Sequence, residues 1–280
     1  MKPKSKHILI TGTSSGIGYG AAKELIHRGY TVFGSVRKKE DGEKVRTELG
    51  ERFIPFVFDV TDQPAIDAAV EDVKKHLNGS GLAGLINNSG ISVTGPVEHL
   101  DIEKVAYNFD VNVLGIFRLT KAFLPLLGTQ KDHPTQPGRI LNVSSVAGKL
   151  CAPFMAPYTG TKHAVEGISH CLRRELLPYG IDVIIIGPGP VQTPIWDKGG
   201  LDEFKNTRYI ASMVKFFTYF VTSGKNGMPL EECSQRIANI LEASKPNVRY
   251  ALVQGKFKNW TLPLMMPPRA VDKFFQKNFG

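Results

Sequence analysis

The sequence has little cysteine and no long hydrophobic run. Its 280 residues include only three cysteines, Cys151, Cys171 and Cys233, which are odd in number and far apart. This spacing excludes a disulfide framework and a metal-binding cysteine cluster, so we expect no metal and a reducing, cytoplasmic location. The longest late apolar stretch, from Ile210 to Thr222, contains a lysine and is shorter than the roughly 18–20 residues that a spanning helix needs. The basic start of the chain precedes too short an apolar run for a signal peptide.

The composition excludes several classes of protein. The chain is 42% hydrophobic and 22% charged, with 28 glycines, which excludes a disordered or collagen-like chain. Its net charge of +9 raises the possibility of nucleic-acid binding. Because the lysines and arginines are dispersed, with no basic helix or RNA-type aromatic motif, we predict no nucleic-acid partner. Anionic membranes and phosphorylated ligands stay open as partners of the basic surface.

Short apolar runs alternate with helical patterns along the whole chain. Runs typical of buried strands begin at His7, Thr31, Phe53, Leu82, Arg139, Ile181 and Arg249. This alternation predicts an α/β fold: one Rossmann-like domain over residues 1–280, with a doubly wound parallel sheet of about seven strands and helices on both faces. Such sheets bind ligands at the carboxyl ends of their strands. The segment from Gly128 to Gly138 is interpreted as a surface loop, with His133 expected to be solvated.

A glycine-rich turn joins the first strand to the first helix. Glycines allow a tight turn and close approach of a ligand, and the helix N-terminus attracts a phosphate. The alternative is a tight turn that binds nothing. We predict that the turn binds the phosphates of a dinucleotide through Gly12, Ser14, Ser15, Gly16, Ile17 and Gly18.

The ends of the second and third strands bear on the choice of cofactor. An acid usually ends the second strand of NAD-binding units, whereas here Val36 is followed by Arg37. An uncharged residue and a guanidinium suit the extra phosphate of NADP, so we predict NADP(H), with NAD(H) as the alternative. Asp59, next to Val60, is placed either to bind the adenine amine or to cap a turn.

Two asparagine-containing segments are candidates for the same site. Asn87, Ser89 and Gly90 follow the fourth strand, where asparagine can tie loops together and glycine leaves room for a flat ring or a ribose. Asn87 is interpreted as structural, as lining the cofactor, or as both. Asn112 lies on the apolar face of a long predicted helix from Asp101 to Leu127, where a buried amide needs partners. Asn112 is either a polar residue of the core that distorts the helix or a residue of the site.

The strongest chemical signal is the segment Tyr158-Thr-Gly-Thr-Lys162. On a helix these two side chains project from the same face, and a nearby ammonium would lower the pKa of the phenol and make it a usable acid or base. Thirteen residues upstream, Ser145 ends a predicted strand and presents a hydroxyl at the sheet edge. Because a tyrosine and a lysine at this spacing are more often a surface pair, their interpretation depends on the cofactor site.

The last third of the chain loses the alternating pattern. Residues 194–228 are rich in aromatic side chains between glycines, including Phe216 and Phe217, and we interpret them as a substrate lid. An oligomer contact and a plain core helix are the alternatives. The tail, residues 256–280, is apolar and basic. It could cover a pocket, join a subunit or touch a membrane surface, so we predict a possible peripheral membrane contact.

Together these motifs resemble the short-chain dehydrogenase/reductase family over about Lys6 to Thr193. The matching segments, in order, are Thr11-Gly12-x-x-x-Gly16-Ile17-Gly18, Asn87-Asn88-Ser89-Gly90, Asn112, Ser145, Tyr158-x-x-x-Lys162 and Pro188-Gly189 to Thr193. Ser89 departs from the family's usual alanine. The resemblance implies a cofactor-binding and catalytic core at residues 6–193, in which Pro188, Gly189, Val191 and Thr193 also contact the cofactor. Thr193 would bind the carboxamide of the nicotinamide.

The resemblance also implies a mechanism. Tyr158 would exchange a proton with the substrate oxygen, Ser145 would hydrogen-bond that oxygen, and Lys162 would lower the tyrosine pKa and hold the nicotinamide ribose. Asn112 would hold a water linking Lys162 to solvent. The family's habit further implies a homodimer or homotetramer built on long helices that include Val105–Leu127 and Ala164–Leu177.

Within the family, the aromatic lid and apolar tail look more like the retinol and hydroxysteroid dehydrogenases. We therefore expect a sizeable apolar alcohol or ketone as substrate, one that is steroid-, retinoid- or lipid-like. Ser145, Phe154, Tyr158, Phe216 and Phe217 are its candidate contacts. The alternatives are a family member acting on small polar carbonyls with NAD(H), and a nucleotide sensor or scaffold that has lost the chemistry.

Overall fold

A seven-stranded parallel sheet forms the centre of the protein. The computed structural model describes residues 4–197 and 201–280. The basic start Met1–Pro3 and the glycine pair Gly199–Gly200 of the expected lid lie outside the described residues. The strands are β1 (His7–Ile10), β2 (Thr31–Val36), β3 (Phe53–Val57), β4 (Gly84–Asn87), β5 (Arg139–Val143), β6 (Asp182–Pro188) and β7 (Arg249–Leu252).

The strand order explains where a ligand can bind. The order is β3-β2-β1-β4-β5-β6-β7, and every neighbouring pair is parallel. The chain therefore reverses its direction of winding between β1 and β4, the place at which doubly wound sheets open a crevice at their carboxyl edge. The register pairs Leu9 with Phe33 and with Leu85. The predicted fold class is confirmed.

Helices cover both faces of the sheet. Their bounds are α1 (Gly16–His27), α2 (Lys39–Leu49), α3 (Gln63–Leu77), α4 (Ile102–Phe109), α5 (Gly115–Leu124), α6 (Ala156–Glu175), α7 (Ile210–Lys225), α8 (Leu230–Glu242), α9 (Leu262–Met265) and α10 (Pro268–Phe279). Successive residues of β1 point to opposite faces. Ile8 and Ile10 pack in the core with α1 and α8, whereas Leu9 packs in the core with α3 and α5. Each such fully buried aliphatic side chain contributes about 1.5–3 kcal/mol.

One helical run passes the length test for a membrane span. From Ile102 to Thr129 the chain is helical, with π-helical turns at Asp110–Leu114 and Pro125–Thr129 joining and ending α4 and α5. Its most apolar window has a mean hydropathy of 1.4, but 56% of that window is buried inside the protein. A buried core helix passes the same test, so the run is weak evidence for a membrane segment.

The prediction that His133 is solvated, in the loop after this run, is wrong. The side chain is buried, with its Nδ1 3.1 Å from the main-chain oxygen of Thr135 and its Nε2 3.1 Å from that of Leu126. The loop folds back on the end of the helical run. Gly81 provides the space for the ring, since a Cβ there would lie 2.4 Å from the histidine Cε1. No local sequence pattern predicts that the His133 ring packs against Gly81.

The end of the chain forms a small aromatic cluster above the carboxyl edge of the sheet. Phe216 of α7 and Phe279 of α10 are buried, with ring centroids 5.7 Å apart. Phe275 and Phe220 pack on the same cluster. The Nζ of Lys215 donates to the main-chain oxygen of Gly280 at 3.0 Å. The final helix therefore closes against α7.

Candidate active site

The glycine-rich turn is shaped as its sequence predicts. Gly12 and Gly16 have φ values of +70° and +62°, which side-chain-bearing residues rarely adopt. The N-cap of α1 is Ser15, whose side chain makes no capping bond, so the first N–H groups of α1 remain available to an anion. Gly18 has a different role, because a Cβ there would lie 2.2 Å from the oxygen of Gly12. It allows α1 to pack against the glycine-rich turn, and it does not line the cleft.

Side chains of neighbouring strands hold this turn in place. The Nδ2 of Asn88 donates to the main-chain oxygens of Thr11 at 2.9 Å and Gly12 at 3.2 Å. The Thr11 hydroxyl accepts from the amides of Asn88 and Ser89 at 3.0 and 2.9 Å, and the Gly12 amide donates to Ser35 Oγ at 3.2 Å. Thr11, Ser35 and Asn88 were not predicted as site residues. For Thr11 and Asn88 the signal was their place inside the quoted motifs.

The end of β2 presents an exposed cation to the cleft. Val36 is buried, and the exposed Arg37 has no acidic partner among the residues that the structure describes. Asp59 also faces the cleft, and its Oδ1 accepts from the Thr61 amide at 2.9 Å and the Thr61 hydroxyl at 2.8 Å. One of its oxygens thus stabilises the turn after β3, so the turn-capping alternative holds for that atom. Val60 lines the cleft beside it.

Two predicted asparagines lie behind the cleft wall. Asn87 is buried and donates to Asn142 Oδ1 at 2.8 Å. Asn112, in the π-helical turn, accepts from the Ile91 amide at 2.8 Å and donates to the Ile91 oxygen at 2.9 Å and the Thr161 hydroxyl at 3.0 Å. Both polar atoms of the Asn112 side chain are therefore engaged by protein groups. Asn112 thus holds the segment after β4 against α6, whereas Asn87 joins β4 to β5.

Ser145, Tyr158 and Lys162 meet at the carboxyl edge of the sheet. Ser145 follows β5 and caps a 3-10 turn, its Oγ accepting from the Ala147 amide at 3.1 Å. Its Oγ donates to the main-chain oxygen of Pro188 at 3.5 Å, and its hydroxyl acts to lower the pKa of Tyr158. Lys162 is buried, and its Nζ lies 5.6 Å from the centre of the tyrosine ring. All three side chains line one cleft.

Burial shifts the pKa of Tyr158 and the pKa of Lys162 in opposite directions. Burial raises the pKa of Tyr158 above its ordinary value, and the hydrogen bond from Ser145 opposes the rise. Burial lowers the pKa of Lys162 to about 8. The tyrosine shift is opposite to the lowering that the sequence predicts, because desolvation of the phenolate outweighs the nearby ammonium. The Ser145 hydroxyl acts in the opposite direction to burial and favours the phenolate.

The cleft is large enough for a dinucleotide and a second molecule. Its volume is about 3070 Å³, against roughly 300–1,000 Å³ for ordinary small-molecule pockets. A Cβ at Gly90 would lie 3.2 Å from Asn112 Oδ1, which is tight, and 3.6 Å from Lys162 Nζ, so a side chain there would crowd the cleft wall. The predicted cofactor residues that line the cleft are Gly12, Ser14, Ser15, Gly16, Ile17, Arg37, Asp59, Val60, Ser89, Gly90, Tyr158, Lys162, Pro188, Gly189, Val191 and Thr193. These residues fit a nicotinamide dinucleotide.

The far end of the cleft is aromatic. Phe216 and Phe217 of α7 line it, together with Phe274 and Phe275 of α10. Phe154 does not line it but supports the wall, with its ring centroid 5.6 Å from that of Phe216. Within the described residues, no group of three or more histidine, cysteine or acidic side chains could hold a metal ion.

Comparison with known proteins decides the family. The family model described as short chain dehydrogenase matches residues 6–203. The chain belongs to this family. A short-chain dehydrogenase from Streptomyces avermitilis has the same architecture, with a TM-score of 0.80 and 27% identity over 98% of this chain and 96% of its own.

Two curated relatives of this short-chain dehydrogenase cover most of its length. An NADPH-dependent 3-dehydrocapnine reductase from Ornithobacterium rhinotracheale is 38% identical over 275 residues, 98% of this chain and 97% of that protein. Retinol dehydrogenase 16 from Mus musculus is 32% identical over 265 residues, 89% of this chain and 80% of that protein. The predicted family is confirmed, and the chain is an oxidoreductase that uses a nicotinamide cofactor.

Proposed function

We propose that this short-chain dehydrogenase is an NADP(H)-preferring oxidoreductase acting on a sizeable apolar alcohol or ketone. The observation that carries the proposal is the meeting of Ser145, Tyr158 and Lys162 between the dinucleotide cradle and an aromatic pocket. The bound cofactor would supply or accept the hydride. The chain's own residues would bind the substrate, orient it and move the proton.

The proton would move through Tyr158. In the reducing direction its hydroxyl donates to the substrate oxygen, and in the oxidising direction it accepts that proton. The Ser145 hydroxyl, which lines the same cleft as Tyr158, would hydrogen-bond the same substrate oxygen and hold it at the proton donor. Lys162 would hold the nicotinamide ribose from its buried position at the floor of the cleft. Asn112 would act through the segment after β4, whose backbone it binds.

Three observations support a preference for NADP(H). Arg37 stands exposed at the end of β2, where a guanidinium can pair with a ribose phosphate. The relative from Ornithobacterium rhinotracheale is named as NADPH-dependent, and it matches this chain over nearly its whole length. The buried Val36 supplies no carboxylate to bind the two free ribose hydroxyls that NAD would present.

The aromatic end of the cleft supports an apolar substrate. Phe216, Phe217 and Phe275 present ring faces and edges beyond the catalytic group, and such surfaces bind apolar molecules through the hydrophobic effect. We propose that residues 194–228 form the lid over this end and that the extension 256–280 closes it from the other side. Retinol dehydrogenase 16, a relative that matches most of the chain, acts by its name on retinol.

The extension also carries an exposed apolar and basic surface. Phe257 is 68% and Met265 is 73% exposed, next to the exposed Lys256 and Lys258. This combination favours peripheral contact with an anionic membrane, where apolar side chains insert and lysines pair with headgroups. Flotation of the protein with phosphatidylcholine vesicles, with and without phosphatidylglycerol, tests this contact. Recovery with neither type of vesicle would contradict it.

A matched substrate screen tests the proposed chemistry. Consumption of NADPH would be followed with long-chain and polycyclic ketones and, in parallel, with small polar carbonyl compounds and sugars. We expect turnover of the apolar ketones, and loss of that turnover in Tyr158→Phe. Turnover of small polar carbonyls alone, with NADH preferred, would favour the alternative substrate class. Binding of NADPH without turnover of any carbonyl compound or alcohol would favour the sensor or scaffold.

A further inference from the structure

A buried ion pair lies directly behind the catalytic serine. Arg249, the first residue of β7, places its Nε 3.0 Å from Oε1 and 2.9 Å from Oε2 of Glu166 on α6. The two side chains are only 13% and 3% exposed. Such pairs are costly to desolvate, and apolar residues of similar size often replace them without loss of stability. Stability alone therefore gives a weak reason for this pair.

The same guanidinium reaches the catalytic segment. The Nη2 of Arg249 donates to the main-chain oxygen of Ser145 at 3.2 Å. Two glycines make this approach possible. A Cβ at Gly187 would lie 2.5 Å from Arg249 Nη2, and a Cβ at Gly148 would lie 2.8 Å from Glu166 Oε1. The backbone around Ser145 is thus built to admit the pair.

The face of the guanidinium is covered by the C-terminal extension. The Cζ of Arg249 lies 4.2 Å from the ring centroid of Trp260, within the range of a cation–π contact. Trp260 belongs to the π-helical turn Phe257–Thr261, which leads directly into α9 and α10. A planar guanidinium can bond in its plane and stack on its face at the same time, which a lysine ammonium cannot do.

We infer that Arg249 is a positioning residue that couples the seating of the C-terminal extension to the placement of Ser145. Glu166 fixes the plane of the guanidinium, whose Nη2 holds the carbonyl of Ser145 and whose face docks Trp260. When the extension leaves, the guanidinium loses its cover, and the turn that carries Ser145 loosens. The inference rests on the proposed function for the role of Ser145, while the coupling itself is a property of the fold.

Hydrogen exchange read by mass spectrometry tests the coupling without turnover. In the full chain with NADPH bound, Arg249→Met should speed exchange of the amides in the turn 144–150 and in the segment 256–266. We expect about tenfold in both, the scale of losing one charged hydrogen bond. Arg236→Met is the matched control, because Arg236 forms an exposed pair with Glu232 and touches neither segment.

Two further variants separate positioning from folding. Trp260→Leu removes the cover while leaving the buried pair, and it should speed exchange in the turn 144–150 as well as in its own segment. The double variant Arg249→Met with Glu166→Leu removes both charges together. Its thermal stability should be close to that of the parent, since both buried charges are removed together and Lys149, whose Nζ lies 3.8 Å from Glu166 Oε2, is 41% exposed to solvent. Exchange in the turn should nevertheless be as fast as in Arg249→Met.

Kinetics give an independent readout with NADPH and dodecan-2-one as the probe. The double variant should lower kcat about tenfold with little change in KM for NADPH, because it displaces Ser145 and leaves the nucleotide cradle intact. Exchange that stays slow in the turn 144–150 for all three variants would overturn the inference, as would faster exchange spread evenly over the whole chain. Full turnover in Ser145→Ala would contradict the proposed function and leave the exchange result to decide the coupling.

Discussion

The Nζ of Lys162 donates a hydrogen bond of 2.8 Å to the main-chain oxygen of Val143, the last residue of β5. This bond ties α6 to the strand that delivers Ser145 two residues later. It also holds an ammonium in a buried place, and burial lowers its pKa to about 8. The ammonium of Lys162 is therefore held at a cost in stability, as is usual for groups kept for function, which agrees with the role proposed for it.

Replacing Lys162 by methionine should stabilise the protein at neutral pH while removing activity. The ordinary pKa of 10.5 exceeds the folded value of about 8, so between these pH values the unfolded chain binds more protons and stability rises with pH. Below pH 8 the buried charge costs a constant amount. We expect Lys162→Met to raise the free energy of unfolding at pH 7 and to flatten its rise between pH 8 and 9.5. Urea denaturation measures both, with the exposed Lys121→Met as control.

Replacing Tyr158 by phenylalanine removes the proton donor and keeps the ring. Because general acid–base catalysis contributes about a hundredfold to ten-thousandfold, we expect kcat to fall by that factor. The dissociation constant for NADPH should change little, since the cradle is formed mostly by other residues. Single-turnover assays and fluorescence titration measure the two quantities. An unchanged kcat would show that another group moves the proton.

Arg37→Asp should reverse the preference between the two cofactors. The variant removes a guanidinium at the end of β2 and adds a carboxylate that can bind ribose hydroxyls. We expect NADPH to bind at least tenfold more weakly, about 1.4 kcal/mol, with NADH unchanged or tighter. Lys44→Asp makes the same change of charge on the exposed side of α2, away from the cleft, and should alter neither affinity. If both variants weakened NADPH binding equally, Arg37 would act only through its general charge.

Two phenylalanines of α10 form a matched pair for testing the aromatic cluster. Phe279 is 6% exposed and packs on Phe216, whereas Phe274 is 49% exposed. Phe279→Ala should cost about 2–4 kcal/mol of stability, towards the lower end of the range for buried phenylalanines because the cluster is at the surface. Phe279→Ala should also raise the KM for apolar ketones by a larger factor than it changes kcat. Phe274→Ala should cost under about 1 kcal/mol. Equal losses of stability would argue against closure by α10.

The exposed face of α4 and α5 should mediate self-association. Leu114 and Phe117 are 47% and 46% exposed on this helical run, a large apolar surface for a protein in water. If the protein is a dimer or tetramer, as proposed from the family, Phe117→Glu should shift it towards the monomer in sedimentation velocity. Val57→Glu places the same charge on an exposed valine of the edge strand β3 and serves as control. A monomeric parent protein would contradict the proposed oligomer.

The parts of the fold and of the site that could be predicted are those marked by short sequence patterns. The glycines of the first turn, the alternation of strands with helices, and the Tyr158–Lys162 spacing each act within a few residues. General rules on handedness and connection reduce the number of possible strand orders, and the structure gives the order β3-β2-β1-β4-β5-β6-β7. The tyrosine pKa could not be predicted in the same way, because its direction depends on how much of the phenol is desolvated and on the bond to Ser145.

The sequence by itself determined the fold class, the edge of the sheet at which the site lies, and the identities of Ser145, Tyr158 and Lys162, because periodicity and turn chemistry are local properties of a chain. Tertiary structure alone decided that His133 is buried, that Asn87 and Asn112 bind backbone and side-chain partners behind the cleft, and that Arg249 joins Glu166, Ser145 and Trp260. These contacts join residues from 11 to more than a hundred positions apart or depend on a glycine elsewhere that makes room. Such complementarity leaves no periodic pattern in the sequence, because it exists only once the layers have packed.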